Sequence, residues 1–310
     1  MNTTELMPQD TTRKRKKMKI TSHGIFQVFN YFFLSVLALL CVAPLVHMLA
    51  VSFSSNLAAQ AGEVTFWPVG FTNAAYVFLM DNAAFWRAMW ISVLRIIIGG
   101  GLSIFLTVLT AYPMSRRPEV FPARKYYVWF LFFTMLFGGG LIPSFILMDT
   151  LGLIDSFWVL VIPGLVGVWN IILVLNFYRS TLPKELDEAA FIDGASHWTV
   201  LFKIYIPLSK AVIATITLFA VVGIWNDWFT GMIFMNRAEM YPMQTFLYFS
   251  LQAGGLDFLT AAQQDAMFDH LSQETLHAAQ IFIGALPVML LYPFLQKYFT
   301  KGIVLGSVKG

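Results

Sequence analysis

Hydrophobic residues in this chain do not alternate with polar ones; they run. Six stretches, at about 25–51, 86–114, 126–148, 157–178, 205–234 and 276–299, are predominantly apolar, and polar residues gather in the intervals between them. A helix needs about 20 apolar residues to cross hydrocarbon. Lipid leaves no backbone polar group unsatisfied, so a spanning segment must be a helix or part of a closed barrel. The pattern therefore predicts an all-α integral membrane protein of six transmembrane helices. Two spans carry interruptions. Gly99-Gly100-Gly101 in the second allows close helix contact or a bend, and Gly138-Gly139-Gly140 followed by Pro143 predicts a kink in the third. The fourth has Pro163 and Gly164 near its start.

The polar intervals set orientation. Residues 1–24 form a basic tail with Arg13, Lys14, Arg15, Lys16, Lys17 and Lys19. The run that follows is too long for the core of a signal peptide, which favours a spanning helix. Of the 20 Lys and Arg, only Arg87, Arg95 and Arg237 lie outside the tail, the 115–125 loop, the interval between spans four and five with its flanks, and the C-terminal end. Positive charge stays on the cytoplasmic side. Both termini are thus expected inside, and the loops 52–85 and 236–276 outside. Composition agrees: 58% of residues are hydrophobic and 12% charged, against about 25% charged in soluble domains. The net charge of +3 is no nucleic-acid footprint, because its sources cluster at membrane edges. The lone Cys41 excludes an internal disulfide and reads as a small hydrophobe.

Between spans four and five lies the longest polar-rich segment, Glu188 to Pro207. In it and just before it, Glu185, Asp187, Glu188 and Asp193 alternate with small and apolar residues. Pro183 fits a first helical turn, the acids after it suit the positive end of a helix dipole, and Gly194 permits a left-handed turn. A short helix, a turn and a second short helix against the membrane surface are predicted. The spacing also resembles the EAA loop of ATP-binding-cassette importer permeases: Glu-Ala-Ala, three residues, Gly, nine residues, Ile-x-Leu-Pro. Here it reads Glu188-Ala189-Ala190, Gly194 and Ile204-Tyr205-Ile206-Pro207, with Ile206 in place of the Leu.

Catalytic signatures are missing from the sequence: it contains no GxxxxGK[ST], HExxH, CxxC or GxSxG. His270 and His277 could share a helix face, but they lack a third ligand and read better as solvated loop residues than as a metal site. The intramembrane polar groups are Arg95, Asn170, Asn176, Asn226 and Asp227. Each is costly in lipid and is expected to face the bundle interior or a cavity. With Trp225 and Trp228 they could line a wet pathway suited to sugar rings, or they could be helix-packing groups. Arg95 could pair with Asp227.

Helix count, orientation and motif resemble the sugar-importing permeases of the maltose-importer type, and in detail their complex-oligosaccharide branch. Besides 188–207, the resemblance is carried by Phe137 to Pro143, Trp225 to Trp228, and Gln296 to Gly302 with Lys309-Gly310. It implies a subunit of the bacterial plasma membrane paired with a second, homologous permease. It implies two cytoplasmic ATP-binding subunits, which hold ATP and magnesium, and an extracytoplasmic sugar-binding protein. Under it Glu188, Ala189, Ala190, Asp193, Gly194, Ile204 and Pro207 would belong to the element that docks on the ATPase. The loop 236–276 would reach the binding protein. Two other readings stay open: an importer of a peptide, polyamine or anion, and a membrane protein that transports nothing.

Overall fold

The computed structural model describes residues 22–183, 185–252 and 272–307, with side chains placed for most of them. All regular structure among these residues is helical. The chain divides after Val46. The first unit contains the start of α1 (Ser22–Ser52), whose outer residues, such as Phe29, Phe32 and Leu39, are largely exposed. That suits a helix whose solvent is hydrocarbon.

The second unit, from His47 onward, holds everything else. Its first helix long and apolar enough to cross a membrane is Ala83–Ser115, made of α4 (Ala83–Arg95) and α5 (Gly101–Ser115) joined through a π-helical turn at Ile96–Gly100. The glycine run thus produces a widened turn rather than a break, and Val161 and Ile224 pack against Gly99 and Gly100. The 52–85 interval, expected as a loop, contains α2 (Asn56–Gln60) and α3 (Ala74–Asp81). Leu79 and Ala75 of α3 are fully buried, because α3 packs on the last helix.

The third span differs most from expectation. It is two helices, α6 (Arg124–Leu136) and α7 (Leu141–Thr150), meeting at 111°. Gly140 adopts φ 86 at the corner, a conformation that a Cβ would strain. Pro143 then sits in the first turn of α7, where its missing N–H costs little. The proline therefore helps to start a helix instead of kinking one. In the fourth span, residues 157–164 form two 3₁₀ turns, and α8 (Val168–Thr181) follows at 44°. Pro163 and Gly164 are poor continuers of an α-helix.

In the next interval lie α9 (Glu185–Ile192) and α10 (His197–Val200), then a π-helical turn and α11 (Ile206–Leu208). After Ser209 the chain bends by 81° into α12 (Lys210–Asn226). The fifth apolar run is thus neither one helix nor helical throughout: Asp227 and Trp228 break it before α13 (Phe229–Phe234). The 236–276 interval also contains a helix, α14 (Met243–Gln252), whose Met243, Phe246 and Leu247 are buried against α4 and α15 (Gln273–Ser307). Residues 253–271, including His270, lie outside the described residues. His277 is not a loop residue; it sits half-buried in α15.

Among the described residues, three helices are long and apolar enough to cross a membrane, and counting each bent pair as one crossing raises the number to six. Two large cores hold the second unit together. One joins α5, α8, α10 and α12 around Ile171, Val174, Leu201 and Ile216. The other joins α3, α4, α14 and α15 around Leu79, Phe85, Phe246 and Leu276.

Candidate functional site

The first polar group gathers around α9. Three acids in its first turn complement the helix dipole. Ala190 points inward at 9% exposure and joins the core of α5, α8 and α10. Asp187 accepts hydrogen bonds from Arg116 Nη1 and, at 2.8 Å, from the Tyr205 hydroxyl. The Arg116 side chain is only 7% exposed. Its guanidinium carbon lies 4.1 Å from the Tyr112 ring centroid and 5.0 Å from that of Tyr205. Its Nε and Nη2 have no hydrogen-bond partner among the described residues, so aromatic faces supply the rest of its stabilisation. Beside it, Glu188 accepts from Arg117 Nη2 at 2.9 Å in an exposed pair. Glu188 is thus engaged by its own chain.

α9 keeps an exposed face of mixed chemistry, in which the small Ala189 lies beside larger apolar side chains and acids. Ala189 and Asp193 are exposed, and Ile192 is 85% exposed. Gly194 turns the chain at φ 78, and a Cβ there would meet nothing within 4 Å. Its requirement is therefore backbone conformation, not a close approach within this chain. Ser196 then caps α10 by accepting from the Thr199 N–H. Ile204 packs against the same core as Ala190, and Pro207 is exposed in α11, just ahead of the 81° bend. A cavity of about 370 Å³ adjoins α9, lined among others by Arg116, Arg117, Arg124, Tyr178, Arg179 and Asp187. In the sequence these arginines marked topology alone; a basic loop facing an acidic helix was the signal that they also pair.

The second polar group lies at the α12 break. Arg95, 5% exposed, donates from Nε to the Leu160 carbonyl at 2.7 Å, from Nη1 to the Asp227 carbonyl, and from Nη2 to the Asp227 carboxylate. Asp227 Oδ1 also accepts from the Thr230 N–H and so caps α13. One guanidinium thereby ties α4, the 3₁₀ stretch and the α12–α13 break together. Trp225 is 2% exposed and donates to the Gly284 carbonyl at 3.0 Å, which withdraws it into the helix packing. Trp228 is half-exposed and stacks on Tyr248 with centroids 4.5 Å apart. Asn226 and Asn176 are exposed, and Asn170 is partly buried in the first turn of α8. The structure brings Arg95 and Asp227 into contact, and leaves Asn170 and Asn176 on another helix.

A third cluster had no counterpart in the sequence reading. Asp155, at φ 62, accepts from the Asn236 and Arg237 N–H groups and from Arg237 Nε, and its carbonyl accepts from Arg237 Nη2. Asp tolerates this left-handed conformation better than most residues. Partial burial raises the Asp155 pKa, but the two N–H donors and the guanidinium outweigh it and hold the carboxyl below its ordinary value.

Apolar helices interrupted at glycine, proline and a buried ion pair are the build of a membrane transport protein, where irregular backbone lines protein or a cavity. Residues 120–305 match the family described as the inner membrane component of binding-protein-dependent transport systems, and this chain belongs to it. It is similar to protein LplC of Bacillus subtilis, 37% identical over 92% of this chain and 95% of that one. The polygalacturonan/rhamnogalacturonan transport system permease YtcP of the same organism is 35% identical, over 92% and 99% of the two chains. Among solved structures, a chain of a bacterial ABC transporter involved in import of the acidic polysaccharide alginate superimposes with a TM-score of 0.82. It is 31% identical over 91% of this chain and 99% of that one.

Proposed function

We propose that this chain is the permease subunit of an ATP-driven importer of oligosaccharides, supplying half of the translocation pathway. The carrying observation is membership of the binding-protein-dependent family together with relatives described as permeases for oligosaccharides and polysaccharides. On this reading each bent pair is one crossing, so the chain crosses the bacterial plasma membrane six times, with both termini cytoplasmic. A homologous permease completes the pathway, two separate subunits bind and hydrolyse ATP with magnesium, and an extracytoplasmic binding protein delivers the sugar.

α9 is then the coupling helix. Its anchoring by Arg116 and Arg117 on one side and its exposed Ala189 and Ile192 on the other support this role. ATP closes the partner dimer, and the motion enters the bundle through α9 and drives rigid-body rocking. The Gly194→Asp variant tests it. Asp is among the L residues best tolerated at positive φ, and nothing in this chain fills the space at Gly194. The subunit should still insert, while uptake and the response of ATP hydrolysis to loaded binding protein fall together. Normal uptake with normal ATPase retention would remove the coupling role. A panel of neutral and uronate oligosaccharides, read by ATPase stimulation, identifies the sugar; a response to peptides or amines alone would sink the carbohydrate reading. An impermeant thiol reagent should modify Gln264→Cys but not Ser115→Cys in intact cells, and the reverse result would overturn the orientation.

A further inference from the structure

The arginine-lined cavity beside α9 has more positive charge than its own acids neutralise. Asp187 and Glu188 are already paired with Arg116 and Arg117. Arg124 opens α6, and its Nη1 donates to the Arg116 carbonyl; Arg179 lies in the last turn of α8, and its Nη2 donates to the Met114 carbonyl. Backbone oxygens two residues apart thus hold both guanidinium groups at the cavity wall. Neither has a carboxylate partner among the described residues. Arg116, at 7% exposure, lines the same cavity with two nitrogens unpartnered.

Deeper along the same two helices runs an apolar groove of about 340 Å³, lined by Val128 and Leu131 of α6, Ile171 and Leu175 of α8, and Met114. The two features are consecutive. Val128 is one turn beyond Arg124, Leu175 one turn before Arg179, and Met114 adjoins Ser115 of the cavity. Tyr126, Tyr127 and Trp129 are exposed on α6 where the polar part meets the apolar part, and such rings favour the headgroup level of a bilayer.

We propose that these features form a binding site for an anionic phospholipid, with the headgroup phosphate between Arg124 and Arg179 and an acyl chain along the α6–α8 groove. Guanidinium groups match phosphate oxygens in bidentate geometry. Basic pockets at the cytoplasmic ends of spanning helices hold anionic headgroups. A free phosphate would use the same arginines, but it would leave the groove unused. The assignment rests on the membrane placement proposed above, in which this cavity lies at the cytoplasmic edge; cysteine labelling checks that placement separately.

The test uses the whole transporter, purified from membranes and exchanged into mixtures of phosphatidylglycerol and phosphatidylcholine. Native mass spectrometry reads retained lipid, and co-purification of all subunits reads assembly. The assembled wild type should retain phosphatidylglycerol over phosphatidylcholine. The double variant R124Q/R179Q should lose about twenty-five-fold in retention, roughly fivefold for each charge at an anionic surface, and R124K/R179K, which keeps the charge but not the bidentate fork, should recover part of it. Val128→Trp, which fills the groove, should lower lipid retention with both arginines intact. Retention unchanged in R124Q/R179Q would overturn the site. Protection from thermal unfolding by inorganic phosphate or glycerol phosphate equal to that by the lipid would overturn the lipid assignment, as would full retention in Val128→Trp.

Discussion

Two arginines in this chain are almost equally buried, Arg95 at 5% and Arg116 at 7% exposure, and each contacts one aspartate, Asp227 or Asp187. Their surroundings differ. All three donor-bearing nitrogens of Arg95 are spent, on Leu160, on the Asp227 carbonyl and on the Asp227 carboxylate. Arg116 spends one nitrogen on Asp187 and leaves two among the faces of Tyr112 and Tyr205. A fully satisfied buried network makes one arrangement much better than any other. A guanidinium resting on rings can slide at small cost, because cation–π attraction is less directional than a hydrogen bond. The first pair reads as a knot in the bundle; the second reads as a joint at the foot of α9.

The largest effect should come from cutting the knot. Arg95→Ala leaves Asp227 without its cation and should destabilise the assembled protein by about 3–5 kcal/mol, read as a lowered midpoint of thermal unfolding in detergent. Replacing both partners by apolar residues of similar volume should recover much of this loss. If Arg95→Ala unfolds like the wild type, the knot is not structural.

The joint should respond less in stability and more in coupling. Tyr205→Phe removes a hydrogen bond to a charged Asp187, worth about 1.5–3 kcal/mol, and leaves the ring in place. ATP hydrolysis should continue while its dependence on loaded binding protein weakens. Equal losses of basal and stimulated hydrolysis would make Tyr205 another knot. Arg117→Gln, which breaks the exposed pair with Glu188, should cost no more than about 1 kcal/mol and should lose its effect in high salt.

The smallest effect is a pH dependence outside both regions. The folded-state pKa of Asp155 is depressed, so its contribution is complete above the unfolded value of about 3.9. It is lost as pH falls through the folded one. Proteolytic nicking near Arg237 should stay constant from neutral pH down to about 4 and rise below that. Asp155→Asn should remove the dependence.

Much of this could be read along the chain. Long apolar runs meant helices in lipid, because no other element satisfies its backbone there. The turn at Gly194 could be read because Pro183, the acids after it and the glycine each constrain the backbone locally. The pairing of Arg95 with Asp227 could be raised as a possibility, since a charge in a span needs a partner. Other features could not be read. The glycines marked the interruption at Gly140 but not its 111° angle, and the apolar runs hid the corner at Ser209, because hydrophobicity says how much chain is apolar and not where its axis turns. α3 and α14 looked like loops, because they are short and find their buried faces only against α15 and α4. Trp225 could have lined a pathway or packed between helices, and its bond to Gly284, fifty-nine positions away, could not be read.

The sequence by itself determined the solvent of this protein, the number of apolar runs and the family motif, because those depend on composition and on spacing within one segment. Which arginine becomes a knot and which a joint was decided by tertiary structure. The two differ only in what distant segments bring to them: a carbonyl and a helix break for Arg95, two tyrosine rings and the side of α9 for Arg116. Contacts between segments far apart in the chain exist only once the helices have packed.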